Sequence, residues 1–120
     1  MSIPRITELL NPISVSPANQ TTKDSYADVD GSKIDSLTKS KVCYTILNAH
    51  AANSIDWKVL ASIDDTTYIE VEPEASVVAE ATDSWEASAT EVSYRYFKVQ
   101  VKSTVSSAAG TAQVRGYAKL

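Results

Sequence analysis

The chain has 120 residues, 43% of them hydrophobic and 22% charged, and carries a net charge of −4 at neutral pH. That length and composition suit one domain with a sizeable core and exclude wholesale disorder. The acidic balance contains no cluster of Lys and Arg to replace counterions along phosphates, so no direct nucleic-acid partner is expected.

The first 25 residues differ from the rest. They hold Pro4, Pro12 and Pro17, and each proline fixes its own φ and biases the preceding residue toward extended backbone. Ile3, Ile6, Leu9, Leu10, Ile13 and Val15 are nevertheless apolar, and their side chains need a surface. Thr7 to Leu10 has room for one helical turn before Pro12 blocks it. The expectation is an extended N-terminal arm over residues 1–25, with these six residues docking either on its own domain or on another subunit. A β domain then occupies residues 26–120. The start lacks the basic stretch and apolar block of a secretory signal. No segment approaches the roughly 20 apolar residues of a membrane span. Synthesis in a cytoplasm and no membrane partner are the expectations.

Residues 16–25 read as a polar loop. Tyr26 to Asp30 alternates before a turn at Gly31-Ser32. Asp28, Asp30 and Asp35 invite a calcium reading, but they lack the ligand spacing and flanking helices of an EF-hand. Lys41 to Leu47 is dense in β-formers and reads as a central strand. Cys43, the only cysteine, permits no intrachain disulfide and reads there as a small buried hydrophobe. After a loop at 48–54, Ile55, Trp57, Val59, Ala61 and Ile63 share a face opposite Asp56, Lys58 and Ser62. Asp64 to Thr67 turns the chain. Tyr68 to Glu72 returns as a hairpin strand that Pro73 ends or confines to an edge.

Residues 74–92 are ambiguous. Glu74 to Ala81 has helical Ala and Glu content but is short and contains Val77-Val78. Ser84 to Ala87 suits a short strand. From Phe97 the alternation is clear: Phe97, Val99 and Val101 face one way, Lys98, Gln100 and Lys102 the other, which marks a half-buried strand. A small-residue turn at 106–110 leads to a last strand at 111–119, with Ala112, Val114, Gly116 and Ala118 on one face. About seven short strands at hairpin spacing predict an all-β fold, an antiparallel β-sandwich or jelly roll.

The chemistry is sparse. His50 is the only histidine, and no nucleophile elbow, P-loop or glycine-rich phosphate loop accompanies it. One His with scattered carboxylates makes no metal site. Glu70 and Glu72 share a strand face, which suits paired carboxylates for glycoside hydrolysis but suits a solvated edge better. Neither an enzyme nor a cofactor is expected. Trp57 falls on the core face, whereas Trp85, Tyr94, Tyr96 and Tyr117 remain open. Tyrosine suits interfaces because one end stays polar, and Tyr96 and Tyr117 are therefore expected in an intersubunit contact.

Several stretches together resemble small β-sandwich virion proteins of tailed bacteriophages, including capsid cement (decoration) proteins. They are Asn53 to Asp65, Tyr68 to Val71, Tyr94 to Ser103 and Gly110 to Gly116. The resemblance implies a structural protein on the capsid exterior, bound to the major capsid protein as a homo-oligomer, with a trimer favoured. Two other readings stay open: another virion part, such as a tail, neck or fibre-base protein, and a carbohydrate-binding module with Trp85 in an exposed aromatic row.

Overall fold

A computed structural model describes residues 13–37 and 39–120, with Ser16 and Pro17 described by their backbone alone. Nine strands form two antiparallel sheets: β1 Ile13–Thr21, β2 Ala27–Asp28, β3 Ile34–Asp35, β4 Lys41–Asn48, β5 Ile55–Ser62, β6 Ile69–Val77, β7 Thr82–Glu86, β8 Tyr96–Ser103 and β9 Thr111–Lys119. The first sheet runs β1-β9-β4-β7 and the second β2-β8-β5-β6, with β3 also paired to β8. Taken as one interrupted strand, β2 and β3 bring the count to the eight of a jelly roll wound from two Greek keys. The expected all-β sandwich is thus the fold.

Period two explains the core. On β8, Phe97, Val99 and Val101 point inward; on β4, Val42, Tyr44 and Ile46; on β9, Ala112, Val114 and Ala118; all are 1% exposed or less. Trp57 is fully buried, and its indole N–H donates to the Asp83 carboxylate at 2.9 Å. Tyr44 joins the sheets. Its ring packs 6.3 Å from that of Trp85, which lies 5.9 Å from Phe97. Its hydroxyl donates to the Ser32 carbonyl at 2.6 Å and lies 3.0 Å from the Phe97 carbonyl. Gly116 makes room for that ring, since a Cβ there would sit 2.7 Å from Tyr44 Cε1.

Several expectations change. Residues 13–21, read as arm and polar loop, form an edge strand antiparallel to β9, with Ile13 opposite Ala118 and Thr21 opposite Thr111. Ladder bonds are indifferent to side-chain polarity, and the register shift between Val15 and Ala18 accommodates Pro17. The ambiguous stretch from Glu74 continues β6 rather than turning helical. Pairing of Val77 with Ile55 and burial of Val77 outweigh local propensity. Ile63, expected on the core face, is 71% exposed. The strand ends at Ser62, where Asp64 Oδ1 accepts the Ser62 hydroxyl and the N–H groups of Thr66 and Thr67, each at 2.9 Å. Asp56 and Ser62, expected on an open polar face, are 3% and 1% exposed.

Two substitutions test the sheet-to-sheet joint. Gly116→Ala drives a methyl into the Tyr44 ring, and overpacking of this kind costs about 1–3 kcal/mol. Tyr44→Phe leaves the buried Ser32 carbonyl without its donor, at about 1–3 kcal/mol. Both are expected to lower the urea midpoint with an unchanged slope in equilibrium unfolding.

Candidate functional site

The outer face of the second sheet carries a group of cations interleaved with tyrosines. Lys58 of β5 and Lys98 and Lys102 of β8 point outward by strand parity, with Tyr26 and Asp28 beside them. The Tyr26 ring lies 4.2 Å from Lys58 Nζ and 5.2 Å from Lys102 Nζ. Lys58 bonds Glu70 at 2.8 Å, and Lys102 lies 3.9 Å from both Asp56 and Glu74. Asp56 Oδ1 accepts the Ser76 and Thr104 hydroxyls at 2.6 and 2.7 Å, which satisfies this buried carboxylate. Lys98 bonds Asp28 at 3.0 Å and stands 4.1 Å over the Tyr68 ring. At the sheet's end, Arg95 grips Asp35 with two bonds of 2.9 Å and lies 4.9 Å from the Tyr96 ring.

These pairings set the protonation of the face. Burial, then the Glu74 carboxylate, pushes the Tyr26 hydroxyl well above its ordinary value. Burial and Asp65 do the same to Tyr68, whose hydroxyl donates to Asp65. Burial raises Asp28, but hydrogen bonds from Gln100 and Lys98 outweigh it and hold the group below the usual range. The Arg95 fork lowers Asp35, and the Lys33 ammonium lowers Asp65. Each carboxylate already serves a neighbouring cation or hydroxyl, so none stands poised as a general acid or base.

A cleft of about 340 Å³ opens beside this face, lined by Asp28, Asp30, Lys33, Asp65, Tyr68 and Lys98 among others. The calcium reading does not assemble there. Asp35 is held by Arg95 and Asp28 by Lys98, and among the described residues no group of three His, Cys, Asp or Glu side chains could hold a metal ion.

Of the expected contact residues, Ile13 and Val15 belong to β1 and pack against the core. Ile3, Ile6, Leu9 and Leu10 lie outside the described residues. Tyr96 is on the outer face of the second sheet, opposite Ser62 and Asp35. Tyr117, 39% exposed, is on the outer face of the first sheet, opposite Cys43 and Ser14. The two tyrosines therefore face opposite ways and do not form one patch.

The remaining candidates resolve by position. His50 Nδ1 accepts the N–H groups of Ala52 and Asn53, each at 3.0 Å, and so shapes its own loop. Cys43 is half-buried on the outer face rather than in the core, because Val42, Tyr44 and Ile46 take the inward parity of β4. Burial and the Glu86 carboxylate raise its thiol, which disfavours the nucleophilic thiolate. Trp85 is 7% exposed, so the aromatic row that a carbohydrate-binding module would need loses its central member. The β6 bulge, marked by register shifts around Val59, separates the two glutamates. Glu70 meets Lys58, whereas Glu72 is raised by burial and by Asp83 and Glu91. No carboxylate pair for glycoside hydrolysis forms between them.

The tyrosine–lysine lattice itself escaped the sequence reading. The alternation of Lys58, Lys98 and Lys102 put them outside, but the cross-strand register that brings Tyr26 and Tyr68 over them has no local signature.

No family model matches the chain, and no curated protein matches it in sequence. Solved structures share its fold. The SPBc2 prophage-derived protein YomS is 12% identical with a TM-score of 0.58, and the match covers 98% of both chains. The PBSX exported protein XepA is 11% identical with a TM-score of 0.64, over 91% of this chain but 37% of that one. A Bacillus endospore appendage protein, of a family of disulfide-linked pili, is 13% identical with a TM-score of 0.54, over 91% of this chain and 84% of that one. At such identities the likeness is one of fold.

The acid pairs make stability depend on pH. Asp28, Asp35 and Asp65 have folded values below the ordinary aspartate value of about 3.9, so the unfolded chain takes up protons first. Their stabilisation is present above that value and is lost as pH falls through the lower folded values. Glu72, raised instead, works in the opposite sense. The urea midpoint is expected to fall as pH drops below about 4, and less steeply in Asp35→Asn. Parallel pH profiles for the variant and the parent would show that the Arg95 pair contributes nothing.

Proposed function

We propose that this chain is a non-enzymatic structural subunit of a virion-type particle, and more specifically a cement protein on the outside of a tailed-phage head. In this reading it binds the major capsid protein across subunit seams as a homo-oligomer, with the apolar residues that precede β1 docking on capsid or sister subunits. The observation that carries the reading is the combination of a rigid, charge-satisfied sandwich with an apolar leader. Lys58, Lys98 and Lys102 on the second sheet are held in ion pairs, while Ile3, Ile6, Leu9 and Leu10 precede the strand at one sheet's edge. The fold shared with a prophage-derived protein along its whole length supports a phage setting. The same fold in the VP2 subviral particle of infectious bursal disease virus, at a TM-score of 0.56, supports an assembly role.

Physical chemistry gives such a protein its effect. A molecule that binds only the assembled lattice stabilises it by mass action. Several weak contacts from one symmetric cluster add as avidity.

The test uses heads assembled from the major capsid protein encoded with this chain. Deleting residues 2–12, which leaves all nine strands intact, is expected to abolish co-sedimentation with heads while the circular dichroism and urea midpoint stay unchanged. Undiminished occupancy after the deletion would reject the role of the leader.

A further inference from the structure

The two outer faces differ in how their charges are used. On the second sheet Lys58, Lys98 and Lys102 each have a carboxylate partner. On the first sheet Lys41, Glu86 and Lys119 enter no ion pair among the described residues. They surround a mainly apolar groove of about 270 Å³ that holds Cys43 and the Tyr117 ring. The groove lies at the end of the sandwich where β1 starts, because Ile13 pairs with Ala118 and Lys41 with Lys119. Leu120 is 55% exposed at this same end, next to the Ser40 N–H bond to the Lys119 carbonyl.

We infer that this groove receives residues 1–12 of a second copy of the chain. The inference rests on the reading above that the leader is adhesive, and it names the surface on which it docks. Ile6, Leu9 and Leu10 match the apolar floor. Arg5 and Glu8, the leader's only charged side chains, match the unpaired Glu86 and the unpaired Lys41 and Lys119. Length alone allows the leader to reach either its own groove or a neighbour's. The groove lies two strands from β1, about 10 Å at 4.8 Å per strand, and twelve extended residues reach about 40 Å at 3.3 Å each. Pro12 favours the neighbour. Proline fixes its own φ and biases the residue before it toward extended backbone, which resists a tight turn next to Ile13, where β1 begins. A return to the chain's own outer face needs a reversal that docking on a neighbour does not. Head-to-tail exchange of this kind gives a ring where the rotation between copies closes.

Cys43, at the groove and without another cysteine in the chain, provides the test. Ile6→Cys, Leu9→Cys and Leu10→Cys are introduced singly into the full chain, which is then treated with a mild oxidant. Chains are separated without reductant and free thiols are counted. At least one variant is expected to give covalently joined chains, and these are expected to vanish when Cys43→Ser is added. A monomer in which both thiols are consumed overturns the assignment to a second copy. No disulfide to Cys43 from any of the three positions overturns the groove itself. Head occupancy separates this from the parent reading. If occupancy still requires residues 2–12 while cross-linking fails, the groove alone is rejected; if cross-linking succeeds while occupancy ignores the leader, the groove stands and the leader's role in head binding is rejected.

Discussion

The fold depends on one side chain that belongs to both sheets. Tyr44 rises from the middle of the first sheet, packs beside Trp85, and places its hydroxyl on backbone carbonyls of the second. Burial raises the pKa of that hydroxyl above the ordinary tyrosine value, which favours its protonated, donating form. Hydrophobic contact between two sheets has no direction. A buried hydrogen bond does, and this one fixes how the sheets lie over each other. Gly116 on the adjacent strand has no side chain because the ring occupies that space. The core residues of β8 then follow by strand parity, whereas β5 is buried on both parities except at Lys58.

With the interior fixed, the two exteriors have separate characters. The second sheet's face is covered by its own tyrosines, lysines and carboxylates. Exposed pairs of this sort contribute little individually, but a continuous lattice holds long side chains in place. The first sheet's face is sparser. Its charges surround a groove instead of pairing, and its one thiol and one half-exposed tyrosine sit together there. Among the described residues, the lysines of one face are paired with carboxylates and the charges around the groove of the other are not.

Much of this was legible in the sequence, for a definite reason. The alternation of Phe97, Val99 and Val101, and of Ala112, Val114 and Ala118, reports burial on one face directly, and the structure places all six inside. Pro73 marked an edge strand correctly, because a central strand cannot spare a ladder donor. Where the reading failed, the missing information was long-range. Nothing local in Ser14 to Thr21 reveals a partner strand about 100 residues later in the chain. Cys43 looked buried because its run is apolar, yet parity with Tyr44 decides its face.

Two of the strands at sheet margins carry a proline beside a break in register. Pro17 lies within β1, where pairing shifts between Val15 and Ala18, and Pro73 lies within β6, where pairing shifts around Val59. Each interrupts the row of main-chain donors that a foreign strand would need in order to add on. Growth by endless sheet extension is thereby discouraged on both layers. Edge-to-edge strand pairing between copies is what these two breaks oppose.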